Sequence, residues 1–111
     1  MTPNEYQKLA MRTCAIPRDK RDDMMRHGVF GLTSEAGEVA GIFQKTYQGH
    51  KIDPDHLKKE LGDCLWMIAE ICEAYDFLLE DVMILNIQKL RKRYPDGFDA
   101  EQSLNRAEGD I

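Results

Sequence analysis

The stretch DKRDDMMRHGVFGLTSEAGEVAGIFQKTY, Asp19 to Tyr47, decides the fold. It contains no proline and no run that alternates apolar and polar residues, so it reads as one helix rather than as strands. At about 28 residues and 1.5 Å per residue it would be roughly 42 Å long. Advancing about 100° per residue gathers Met25, Leu32, Ala36, Val39 and Phe43 into one apolar arc. Glu35 falls inside that arc, and Glu38, one turn on, lies at its edge. Lys45 falls beside Glu38 two turns later. A helix of this length with short connections points to a bundle.

The rest of the chain reads the same way. Thr2-Pro3-Asn4-Glu5 is a capping box with proline at the first helical position. It opens a helix to about Cys14, stopped by Ala15-Ile16-Pro17. Asp53-Pro54-Asp55 opens a third helix to about Tyr75, with Asp53 as N-cap and an acidic first turn. A fourth runs from about Leu78 to Tyr94 and closes at Pro95-Asp96-Gly97. Asp99 with Gln102 caps a short fifth helix, followed by a polar tail expected to be mobile. The expectation is an all-α fold, a helical bundle of four main helices. Its main domain is residues 1–98, and residues 99–111 form the short helix and tail.

Composition narrows the function. The 111 residues make one domain, with fifteen Lys plus Arg against twenty Asp plus Glu and a net charge of −5. An acidic surface repels a phosphate backbone, so no nucleic-acid partner is expected. No apolar run approaches the roughly 20 residues that span a bilayer, and no secretory signal is read, so no membrane partner is expected either. Cys14, Cys64 and Cys72 have neither disulfide nor zinc spacing and read as reduced thiols, which suits a cytoplasmic location.

The third helix carries a second acidic pair. Leu57, Leu61, Cys64, Ile68, Cys72 and Tyr75 form its apolar stripe. Glu60 borders the stripe and Asp63 lies one step further out. Residues three apart are neighbours on a helix. Antiparallel packing of the second and third helices would therefore bring Glu35, Glu38, Glu60 and Asp63 together. Carboxylates crowded at a half-buried border repel each other and lose solvation, and a hard divalent cation such as Mg²⁺ relieves both costs. A di-iron site would need Glu-x-x-His, which the chain lacks. His27, His50 and His56 read as surface or capping residues. On the fourth helix Asn86, Lys89 and Arg93 fall within or beside the apolar arc of Leu79, Val82, Met83, Ile87 and Leu90. Their partners there are either carboxylates or the phosphates of a ligand.

Gly31-Leu32-Thr33-Ser34-Glu35-Ala36-Gly37-Glu38-Val39, followed by Lys59-Glu60-Leu61-Gly62-Asp63-Cys64-Leu65-Trp66, resembles the MazG-like nucleoside triphosphate pyrophosphohydrolases, in their small single-domain form. Asn86, Lys89-Leu90 and Arg93-Tyr94-Pro95-Asp96-Gly97-Phe98 fit the same resemblance, which covers about residues 24 to 98. The family signature is E-E-x-x-E, a spacer, then E-x-x-D, and Ser34 stands here where its first Glu would be. The resemblance implies an all-α fold that assembles as a homodimer or homotetramer. It also implies Mg²⁺-dependent cleavage of a (deoxy)nucleoside triphosphate between the α- and β-phosphates, with Mn²⁺ as a substitute ion. On that reading Glu35, Glu38, Glu60 and Asp63 hold the metal, Glu35 or Glu38 also serves catalysis by orienting the water, and Lys45, Asn86, Lys89 and Arg93 contact phosphate. Trp66 is read as an interface residue. The alternatives are a pyrophosphohydrolase for a non-nucleotide pyrophosphate, and a non-catalytic helical module that dimerises through Trp66 and Phe30.

Overall fold

Local capping chemistry sets where each helix begins. The computed structural model describes all residues from Met1 to Ile111. They form α1 (Pro3–Met11), α2 (Arg21–Thr46), α3 (Pro54–Ala74), α4 (Leu79–Arg93) and α5 (Ala100–Leu104). The chain is all-α, as expected. Thr2 Oγ1 accepts from Glu5 N at 3.1 Å while Glu5 Oε2 accepts from Thr2 N at 3.3 Å, closing the capping box. Asp53 Oδ1 accepts from Asp55 N, and Asp99 Oδ1 accepts from Glu101 N and Gln102 N. The start of α2 has no side-chain cap and relies on Asp22 and Asp23 against the helix dipole. At the end of α3, Asp76 takes a φ of 56°. Phe77 N then reaches Cys72 O at 2.8 Å and Asp76 N reaches Glu73 O at 3.2 Å, the Schellman pattern that satisfies the last carbonyls.

The chain divides into two compact units, Met1–Leu79 and Glu80–Ile111. In the first, α3 packs against both α2 and α1. The α2/α3 pair is antiparallel: His27 meets Glu70, Gly31 faces Met67, and Glu35 groups with Asp63, so one number falls as the other rises. Small residues let these two helices approach closely. A Cβ placed on Gly28 would lie 2.8 Å from Ile71 Cγ1 and 3.3 Å from the Met67 carbonyl oxygen.

The core is thin. Ala10, Met11, Met24, Ala69 and Ala74 form its buried cluster, with Tyr6, Cys14, Ile16, Met25 and Trp66 packed around it. Burying Met24 fully contributes about 1.5–3 kcal/mol. The buried positions of α2 are Met24 and Gly28 rather than the expected arc, in which Ala36 and Phe43 are exposed. Hydropathic periodicity gives glycine no weight, yet Gly28 marks the face that α3 covers.

Gln7 joins the ends of this unit. Its Nε2 donates to Glu73 Oε2 and to Phe77 O, and its Oε1 accepts from the buried N–H of Leu79 at 2.7 Å. Trp66, expected at an interface, instead ties α3 to α1, donating from Nε1 to Ala10 O and Thr13 Oγ1 at 2.9 Å each.

In the second unit, α4 has Glu80 and Asp81 in its first turn and Arg91, Lys92 and Arg93 in its last, which complements the dipole at both ends. The Tyr94 and Phe98 rings pack at 5.2 Å around the Pro95–Gly97 turn. No helix is long and apolar enough to cross a membrane.

Candidate metal centre

The antiparallel seam between α2 and α3 carries a line of acids. Glu35 lies on the α2 face that also holds His27 and Gly31, at intervals of one turn. Glu60, Asp63, Met67 and Glu70 follow one another along α3 at spacings of three and four, and therefore share a face. At one place on this seam Glu35, Glu60 and Asp63 each offer a carboxylate oxygen, and all three oxygens lie within 4.8 Å of one another. Glu35 and Glu60 are half-buried and Asp63 is exposed.

Crowding shows in the titration of Glu35. Partial burial pushes its carboxyl above the usual range, and the neighbouring charges of Asp63, Glu60 and Glu38 push it the same way. Opposite ligands of an octahedral Mg²⁺ stand about 4.2 Å apart, from bonds of about 2.1 Å. The three oxygens, within 4.8 Å of one another, stand near that spacing, and an all-oxygen donor set suits a hard divalent ion.

Three of the four acids expected at the metal are thus brought together. Glu38 is exposed on the next turn of α2, outside the group of three but close enough to act on Glu35. Ser34 is exposed beside Glu35. Lys45 is exposed in the last turn of α2. Asn86 and Lys89 are exposed on α4, and Arg93 at its end pairs with Asp110.

Two histidines lie at the surface, as expected, and each meets a carboxylate. His56 Nε2 sits 3.1 Å from Glu60 Oε1, so an imidazole adjoins the acidic group. The signal was present in the sequence as an i, i+4 His–Glu pair on the third helix. Further along the seam, Glu70 is completely buried, 0% exposed. Its Oε1 lies 2.6 Å from His27 Nδ1, and its Oε2 accepts from the Cys14 thiol at 3.3 Å. The Trp66 ring stands edge-on to the His27 ring at 6.1 Å. Glu70 falls seven residues after Asp63, so its place on the acidic face was legible, but its burial was not.

The chain is 33% identical over 96 residues to the Gene 37 protein of Mycobacterium phage L5, an alignment that covers 79% of this chain and 84% of that protein. No solved structure matches the chain. The family description "MazG nucleotide pyrophosphohydrolase domain" matches residues 28–98, a span that contains both acidic pairs and the whole of α3 and α4. With that match over most of its length, carried on an all-helical fold, the chain belongs to the MazG nucleotide pyrophosphohydrolase family.

Proposed function

We propose that this protein is a Mg²⁺-dependent pyrophosphohydrolase that splits a (deoxy)nucleoside triphosphate between its α- and β-phosphates. The products are a nucleoside monophosphate and pyrophosphate. The observation that carries the reading is the group of Glu35, Glu60 and Asp63, three carboxylates within 4.8 Å on a half-buried seam. Glu38, one turn from Glu35, completes the proposed ligand set. When bound, Mg²⁺ or Mn²⁺ supplies neutralisation of phosphate oxygens and makes water a better nucleophile. Glu35 or Glu38 orients the attacking water and accepts its proton. Lys45, Asn86, Lys89 and Arg93 supply contacts to the phosphates, where cations steady the charge leaving with pyrophosphate.

The pyrophosphohydrolase domain is proposed to be residues 1–98, with α5 and the tail following it. The three free cysteines suit a reducing compartment such as the cytoplasm. A homodimer or homotetramer is proposed because large apolar side chains stay uncovered, among them Phe30 at 71% and Leu85 at 65% exposed.

The test is a panel of nucleoside triphosphates incubated with Mg²⁺, with pyrophosphate and orthophosphate measured separately. The expected result is stoichiometric monophosphate and pyrophosphate, abolished by a chelator. Release of orthophosphate, or turnover that ignores the chelator, would overturn the reading.

A further inference from the structure

The tail after α5 is built into a definite contact. Ala107-Glu108-Gly109-Asp110 forms a turn in which Asp110 N donates to Ala107 O at 3.1 Å. Gly109, third in the turn, has a φ of +83°, a conformation that side chains disfavour. The turn delivers Asp110 to the last turn of α4. There Arg93 Nε donates to Asp110 Oδ2 at 2.9 Å and Arg93 Nη2 donates to Oδ1 at 2.7 Å. The two side chains are only 9% and 17% exposed.

This fork is the geometry by which arginine grips a phosphate. The edge of Arg93 occupied by Asp110 is not offered to any other oxygen. The surrounding charges match that use. Hydrogen bonding from Arg93 holds the Asp110 carboxyl below its usual range against the opposing effect of burial, and the charges of Arg93, Arg106 and Lys89 add to the lowering. A cavity of about 380 Å³ adjoins the pair, lined by Gln88, Lys89 and Lys92 from α4 and by Glu108 and Asp110 from the tail. Lys89 and Lys92 thus line the same cavity as Glu108 and Asp110, the carboxylate that Arg93 holds.

We propose that Asp110 is an internal competitor for the phosphate-binding groups of α4, so that the 107–110 turn closes over Arg93 until a polyphosphate displaces it. The ligand class rests on the pyrophosphohydrolase reading above. A polyphosphate brings several charged oxygens against one carboxylate and engages Lys89 and Lys92 as well, so it wins the exchange once bound. Until then the closed turn weakens apparent affinity by the fraction of molecules in which Arg93 is available. A turn closed nine times in ten weakens it about tenfold.

The experiment titrates the 111-residue chain with inorganic pyrophosphate by calorimetry in a chelator, so that the acidic seam takes no part. Wild type, Asp110→Asn and Glu101→Gln are compared; the last removes the same charge from the exposed face of α5. Asp110→Asn is expected to bind about tenfold more tightly, and Glu101→Gln to match wild type. Equal affinity in Asp110→Asn and wild type overturns the proposal. Weaker binding in Asp110→Asn also overturns it, because Asp110 would then be positioning Arg93. Absence of pyrophosphate binding in every protein overturns it too. Should Asp110→Asn not fold, the Arg93 Nε–H resonance of wild type decides. Pyrophosphate is expected to shift it, and an unmoved resonance at saturation overturns the proposal. Nucleotide hydrolysis by wild type is scored separately. Tighter binding without hydrolysis would sink the enzymatic reading alone, and hydrolysis without tighter binding would sink the competing turn alone.

Discussion

At Glu35, burial and three acidic neighbours act in the same direction, and the consequence has a sign. A carboxyl whose folded pKa is raised above its unfolded value favours the folded state below the unfolded value. That contribution disappears as pH rises through the folded pKa. The metal-free protein should therefore lose thermal stability as pH climbs just above the ordinary carboxylate range. Glu35→Gln should flatten that profile, and Mg²⁺ should offset the loss in wild type, all readable from melting curves across pH. The same substitution, and Asp63→Asn, should lower Mg²⁺-dependent turnover about 100-fold or more while helix content is kept. Turnover close to wild type in either would remove that residue from the metal set. Glu70 is fully buried and has a partner at each oxygen. His27→Ala leaves its Oε1 unsatisfied and should cost about 1–3 kcal/mol in urea unfolding. His56→Ala, at an exposed pair, should cost about 0–1 kcal/mol.

For the helices, the α2/α3 contact separates two glycines that look alike in sequence. Alanine at either position gains about 1 kcal/mol of helix propensity. At Gly28 the new methyl meets Ile71 Cγ1 at 2.8 Å and the Met67 carbonyl oxygen at 3.3 Å. Overpacking of that kind costs about 1–3 kcal/mol, so the net effect is a loss. At Gly31 the nearest atoms to the methyl would all belong to the Met67 side chain, Sδ, Cε at 2.7 Å and Cγ at 3.2 Å, which can swing aside. Chemical denaturation should therefore rank Gly31→Ala above Gly28→Ala, and the reverse order would show that the helices move apart freely. Helix starts were legible because Thr2, Asp53 and Asp99 act within four residues of themselves. The convergence of Glu35, Glu60 and Asp63 was legible because i, i+3 spacing on two antiparallel helices leaves few other outcomes. The roles of Gln7, Trp66 and Glu70 were not. Each depends on a partner more than forty residues away, and no local pattern encodes that partner.

As a whole molecule, the chain leaves apolar surface that its own small core does not use. Val29, Phe30, Leu61 and Leu65 are exposed on the first unit, and Met83, Ile84, Leu85 and Ile87 on the second. Light scattering at micromolar concentration should return a mass that is a multiple of 12.8 kDa. Phe30→Glu should shift the distribution toward smaller species. A 12.8 kDa wild-type species would mean that these side chains face water. The periodic arcs of α2 and α4 misled in the same respect: a stripe marks what a helix can bury and says nothing of whether the same chain covers it.

The three hydrogen bonds of Gln7 have a consequence for biosynthesis. Helix α1 carries a side chain whose acceptors and donor, Glu73, Phe77 and Leu79, are all translated after it. Local helix formation in α1 can begin at once, but its docking waits for a partner made 72 positions later. During that interval Ala10 and Met11, which end in the core, remain open to solvent and to chaperones. Helix α1 is thus translated well before the segment that secures it, and a nascent chain stalled before Leu79 displays it without that anchor.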